Sequence, residues 1–288
     1  MSWGHPSLDL LPVESTWAAS EVALERDGSL MLAYGAMQGP PRLIEPLRAR
    51  LGRLEGVAPS AEEVMITGGV SWALDVLCTQ LARPTDVVLV AVPAYHLALK
   101  VFRGGHLQLE PAVCDDEGIV LDSLEKTLAK LRPQDERVCL LYIVPTCANP
   151  TGSIVPFCRR KALVQFAERS DLTILEDDVY RGLWYDLEPP PCLHTIAPTG
   201  TVIRLGSFSR VLASGRRLGW MAGSPDVIRR CVDSGMISSG GISHFAAHIV
   251  ASFIQLGLLD GHVEMLRPSA RRGSLVASLA EHVPPACH

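Results

Sequence analysis

The feature that most constrains this chain is an alternation, between residues 64 and 232, of short apolar runs with longer amphipathic stretches. Val64–Thr67, Val87–Ala91, Val138–Val144, Leu172–Glu176 and Val202–Gly206 are too short for helices and mostly apolar at consecutive positions, so they read as buried strands. Between and after them, Trp72–Leu81, Leu121–Leu131, Phe157–Arg169 and Pro225–Val232 carry helical periodicity, and the text after Tyr95 is helix-like. Strands alternating with helices predict an α/β fold, a mostly parallel sheet covered by helices. Ahead of this region, Gly4–Ser7 and Gly35–Pro41 are turn chemistry and Leu43–Leu54 is apolar-periodic, an arm feeding a helix. Behind it, helical text runs through His244–Leu258 and Gly261–Glu281, with Pro268 expected as a break or a helix start.

Composition narrows the class. A chain of 288 residues with 48% hydrophobic and 20% charged residues can bury a substantial core. The net charge of -5, without a basic stripe, argues against a nucleic-acid partner. The eight cysteines include no C-x-x-C pair, which predicts neither a metal site nor a disulfide framework but reduced thiols in the cytoplasm. The apolar stretch Ile249–Leu259 is interrupted by Gln255 and is too short to span a bilayer, so no membrane association is expected.

In α/β sheets ligands bind beyond the carboxyl ends of strands, so the residues there carry the functional question. Gly68-Gly69-Val70-Ser71 follows the first run and opens a helix, which either cradles a phosphate or is an ordinary connection. Tyr95 follows the second run and either stacks on a flat ligand or packs at the surface. Asn149, ahead of Pro150, either aims its amide at a ligand or simply forms a turn. In Glu176-Asp177-Asp178 at least one acid is expected to meet a cation, the alternative being Asp178 as a helix cap. Ser207, Ser209, Arg210 and Arg217 lie in a segment whose hydroxyls and guanidinium groups suit an anion, or else face solvent.

Taken together and in order, these motifs resemble the class I/II pyridoxal-phosphate (PLP) aminotransferases of fold type I, in the branch related to aminoadipate and aromatic aminotransferases. The resemblance runs from about Leu32 to about Glu281. It implies that Gly69, Val70, Ser71, Ser207, Ser209 and Arg217 hold the cofactor's phosphate and that Tyr95 stacks on its ring. It further implies that Asn149 and Tyr180 bond the ring oxygen and that Asp177 keeps the pyridine nitrogen protonated. Tyr34 resembles the tyrosine that reaches the neighbouring subunit's phosphate, which implies a homodimer acting on an amino acid or amine. On this resemblance residues 1–40 form an N-terminal arm and residues 41–262 the large PLP-binding domain. Residues 263–288 then begin a small C-terminal domain that is largely missing, and with it the family's carboxylate-binding arginine, a role matched by none of Arg267, Arg271 and Arg272.

One departure bears on the chemistry directly. Family members read Ser-Phe-Ser-Lys where this chain has Ser207-Phe208-Ser209-Arg210. The lysine forms the Schiff base with PLP and shuttles the α-proton, and arginine can do neither well: its pKa of about 12.5 or more leaves roughly one guanidinium in 10⁵ or fewer neutral at pH 7. PLP bound without an internal aldimine is therefore expected. A substrate amine can still condense with PLP directly, but loss of the base costs about 10² to 10⁴ in rate. The resemblance thus leaves two readings open: an aminotransferase impaired at ordinary transamination, or a non-catalytic relative, a pseudoenzyme that binds PLP or another phosphate ligand or serves as a dimer partner.

Overall fold

All five predicted strands form within a residue or two of their expected ends, and two strands that the sequence pattern does not reveal complete the sheet. The structure, a computed structural model, describes residues 7–131, 136–184, 187–197 and 200–271. Its strands are β1 (Val64–Thr67), β2 (Val87–Ala91), β3 (Gln108–Ala112), β4 (Cys114–Asp115), β5 (Gly118–Ile119), β6 (Val138–Ile143), β7 (Thr173–Asp177), β8 (Val202–Ser207) and β9 (Gly219–Ala222). The first six helices are α1 (Val13–Asp27), α2 (Pro41–Glu55), α3 (Val70–Leu81), α4 (His96–Gly104), α5 (Leu121–Leu131) and α6 (Phe157–Ser170). They are followed by α7 (Leu193–Ile196), α8 (Phe208–Val211), α9 (Pro225–Ser239), α10 (His244–Gln255) and α11 (Leu258–Arg271).

Seven strands pair in the order β1-β9-β8-β7-β6-β2-β3, while β4 and β5 make a separate two-stranded hairpin. Neighbours from β3 through β8 run parallel, and β9 alone runs against β8 and β1. The carboxyl ends of β1, β2, β6, β7 and β8 therefore open at one edge, where β9 begins. β9 escapes the sequence pattern because it is four residues long and starts on a glycine. β3 escapes because it is an edge strand whose Gln108, Glu110 and Pro111 break the apolar run, and proline is tolerated only where a ladder bond can be forgone.

Alternation along each strand divides the core. Val88, Val90, Tyr142, Leu175, Ile203 and Leu205 pack with α3 and α4 on one face, while Val87, Leu89, Leu141, Ile143, Ile174 and Val202 pack with α5 and α6 on the other. A third cluster joins Val64, Ile66 and Trp220 to α1, α2 and α10. The arm residues are thus partly helical, a difference from the turn-rich expectation. Besides Asp27 at its end, α1 buries only its small Ala19 and Ala23, whereas Val13 (73% exposed) and Trp17 (76% exposed) face outward, which inverts the usual signature of an amphipathic helix.

The C-terminal helices also correct the expectation. The break falls after Gln255, where Gly257 takes a left-handed φ of +72°, and α11 runs through position 268 rather than stopping or starting there. The expected helix beyond Arg271, and with it most of the proposed small-domain segment, lies outside the described residues. Among the described residues no single helix is long and apolar enough to cross a membrane; α10 and α11 reach that length only together, bent by 80°. The seven described cysteines are free thiols, and among the described residues no group of three His, Cys, Asp or Glu side chains could hold a metal ion.

Candidate functional site

Strand register assembles the first part of the site. Thr67, Gly219 and Ser207 are partners across β1, β9 and β8, which sets the three loops beyond those strands side by side. Gly69 precedes α3 with φ +95°, a conformation that favours glycine, and a Cβ built there would meet the Arg217 guanidinium at 3.2 Å. Arg217 itself is left-handed, φ +50°. The first amides of α3, including those of Val70 and Ser71, have no helical acceptor upstream, so they face whatever lies beyond the strand. Ser207 caps α8, its Oγ accepting the Ser209 N–H at 3.0 Å. Glycine-bounded amides, hydroxyls and a guanidinium converge there as an anion cradle. The Thr67 hydroxyl, which sequence reasoning did not single out, is buried beside it without a hydrogen-bond partner.

The second part stands on β7. Asp177 ends that strand 4% exposed, and the Tyr142 hydroxyl donates to its Oδ2 at 2.6 Å. Its Oδ1 is buried with no partner. Burial pushes the carboxyl up to about 6, against the Tyr142 hydrogen bond and the Arg210 charge that favour ionisation, while Asp178 adds to the upward push. Tyr142, itself fully buried and raised well above the usual phenol value by burial, lay unnoticed inside an apolar run, where a phenol among aliphatic residues was the only signal.

Four more predicted residues gather around Asp177. Asn149 Nδ2 donates to the Tyr180 hydroxyl at 3.2 Å. Tyr95 stands at the start of α4, its phenol raised by burial and pulled back by the charge and hydrogen bond of Arg210. The Arg210 guanidinium carbon lies 5.7 Å from the Tyr180 ring centroid. Arg210 is thus turned into the cluster, not toward solvent. Tyr34 is 91% exposed, against Gly240.

Of the three consecutive acids, Asp178 and Glu176 are the ones held by cations. Asp178 Oδ2 accepts from Arg204 Nε at 3.0 Å, so Asp178 is an ion-pair partner and not a helix cap. Glu176 accepts the backbone N–H groups of Leu193 and His194 at 2.8 and 2.9 Å and lies 4.0 Å from Arg160.

This donor set fits PLP. The open oxygen of a buried carboxylate suits a protonated pyridine nitrogen, and the cradle around Gly69, which a Cβ would crowd, suits a phosphate.

The comparisons with known proteins agree with that geometry. The family model for aminotransferase class I and II matches residues 1–284. The chain is 31% identical over 288 residues to aromatic-amino-acid aminotransferase 1 of Thermococcus litoralis, covering 99% of this chain and 69% of that protein. It is 34% identical over 236 residues to the 2-aminoadipate transaminase of Thermus thermophilus, covering 80% of this chain and 56% of that one. The crystal structure of a kynurenine aminotransferase of Pyrococcus horikoshii superposes with a TM-score of 0.90 at 32% identity, covering 98% of this chain and 70% of that one. The fold is that of the PLP fold type I enzymes. The chain belongs to the aminotransferase class I and II family, whose cofactor is PLP.

Proposed function

We propose that this chain binds PLP without a covalent bond and that ordinary transamination of an amino acid or amine proceeds at most slowly on it. The observation that carries the proposal is the orientation of Arg210, which faces Tyr95 and Tyr180 at the lysine position while the rest of the donor set is retained. When bound, the cofactor supplies an electron sink for negative charge at a substrate's α-carbon. The chain's own residues do the rest. Gly69, Val70, Ser71, Ser207, Ser209 and Arg217 hold the phosphate, and Tyr95 packs on the ring. Asn149 and Tyr180 hydrogen-bond the ring oxygen. Asp177 Oδ1 accepts a hydrogen bond from the pyridine nitrogen and holds its proton there. Arg210 keeps its own proton at neutral pH, so it neither attacks an aldehyde nor accepts a proton from the α-carbon.

On this reading residues 41–262 are the cofactor-binding domain, Tyr34 reaches a second copy of the chain, and the molecule works as a homodimer. The exposure of Tyr34 supports that assignment. A second reading, a relative that holds PLP or another phosphate ligand without turnover, is favoured by the same Arg210. Titrating the purified chain with PLP tests the proposal: a bound-state absorbance change is expected, with no adduct that borohydride traps. A trapped lysine adduct would overturn it. Replacing Arg210→Lys is expected to restore a trappable adduct; if it does not while PLP still binds, Arg210 is not at the lysine position.

A further inference from the structure

Arg210 replaces a covalent anchor with a fixed positive charge, and that changes what the cleft can recognise. Asp177 lies at one end of the cluster, with Oδ1 open to a ring nitrogen. The Asn149–Tyr180 pair marks the position of a ring oxygen. Arg210 lies over the Tyr180 ring, 5.7 Å from its centroid, and hydrogen-bonds Tyr95; on the PLP-binding reading it stands at the lysine position, beside the substituent opposite the ring nitrogen. The cleft therefore carries a carboxylate at one end and a guanidinium at the other. A ring with a protonated nitrogen and a neutral or anionic opposite substituent matches that polarity, whereas a ring bearing an ammonium there does not.

We infer, resting on the PLP-binding reading above, that Arg210 makes the site select among pyridine 5'-phosphates by the charge of the substituent opposite the ring nitrogen. Carboxylate binds best, alcohol and aldehyde follow, and ammonium binds worst. A lysine selects the aldehyde by bonding to it; a guanidinium that cannot form that bond loses this preference and imposes an electrostatic one. Two like charges about 4 Å apart at a partly exposed site repel strongly enough to weaken binding roughly tenfold or more. The consequence is chemical. A transaminase must retain the amine form of its cofactor between half-reactions, and that is the form this cleft disfavours.

Calorimetric titration of the full chain with pyridoxine 5'-phosphate, pyridoxamine 5'-phosphate and 4-pyridoxic acid 5'-phosphate tests this. The alcohol is expected to bind about tenfold tighter than the amine and the acid tighter still, with the spread narrowing as salt is raised. Replacing Arg210→Gln is expected to bring the three affinities to within about threefold of one another. Equal binding of all three to the wild-type chain overturns the inference and leaves the cofactor reading intact. A spread that survives in Arg210→Gln also overturns it, by removing Arg210 as the source. If none of the three binds, and PLP does not bind either, the cofactor reading falls and the inference with it. The wild-type affinities and their salt dependence decide the matter even if the variant fails to fold.

Discussion

Glu176, Asp177 and Asp178 are neighbours at the end of one strand, and burial pushes both Glu176, to about 7, and Asp177, to about 6, upward, yet the two faces of the sheet supply them with different partners. On the face of Glu176 and Asp178, acids and guanidinium groups answer one another. Arg204 pairs with Asp178 and with Glu55, both at 2.9 Å, and Arg181 pairs with Glu55 at 2.7 Å. Burial works against Glu55, yet Arg204 and Arg181 hold its carboxyl below the ordinary range. Burial likewise pulls on Arg204, whose acidic neighbours keep it charged. On the face of Asp177 the hydrogen bonds come from neutral groups, the Tyr142 phenol and the Val179 backbone N–H, and Oδ1 stays open. The first arrangement gives its acids nearby cations, although Asp178 Oδ1, like Asp177 Oδ1, has no hydrogen-bond partner, and it holds α2 and the turn after β7 against the sheet. The second leaves a buried charge under-compensated, which is the condition expected where a ligand is to supply the missing partner.

The contrast predicts four outcomes. The largest belongs to the cation-paired face: Arg204→Leu removes the close cation of the buried Asp178 carboxylate and leaves Glu55 with Arg181 alone, and is expected to cost about 3–5 kcal/mol in denaturant unfolding at pH 7. Removing all three charges together should cost much less, and a triple variant as unstable as the single one would refute the pairing account.

Next comes Asp177. Its carboxyl titrates near 3.8 in the unfolded chain and at about 6 in the folded one. The folded state therefore binds the extra proton, and stability is lost as pH rises through that window, by about 2–3 kcal/mol in all. Asp177→Asn abolishes this dependence: its unfolding free energy should gain on the wild type between pH 4 and pH 6 and run parallel outside that window. The same variant should bind PLP more weakly at pH 7, so that stability rises while affinity falls.

Tyr142→Phe is expected to cost about 1–3 kcal/mol, because Asp177 Oδ2 loses its donor. The Tyr142 bond favours the ionised carboxyl, so in the variant Asp177 titrates above its present value of about 6. PLP affinity, which needs the carboxylate, should then begin to fall at a higher pH than in the wild type as the solution is acidified. An unchanged pH profile would reduce Tyr142 to a packing residue. The smallest effect is that of Ser207→Ala, about 1 kcal/mol for loss of the α8 cap, accompanied by weaker competition of inorganic phosphate with PLP.

Much of this was legible in the chain itself. The strand runs and the glycines and prolines that end them located the ligand-binding edge; the acids at 176–178, Asn149 and Arg210 stood out there with a turn, cap or surface role still open, and the family resemblance singled out Asp177, Asn149 and Arg210. Tyr142 was not, because a tyrosine within Val138–Val144 is as apolar in pattern as its neighbours and only its hydroxyl's destination distinguishes it. Arg204 was hidden in the same way inside Val202–Gly206. α1 was missed because its buried side is alanine and its large residues face outward.

The sequence by itself determined five of the seven strands of the main sheet, their alternation with helices and the residues waiting at their ends, because hydrophobic period and turn chemistry are properties of neighbouring residues. The tertiary structure decided the partners. Tyr142 meets Asp177 across 35 positions and Arg204 meets Glu55 across 149, through strand pairing and helix docking that no local pattern encodes. The same packing turned Arg210 toward Tyr95 and Tyr180, so that a residue notable in the sequence for what it replaces became, in the folded chain, the positive end of the cleft.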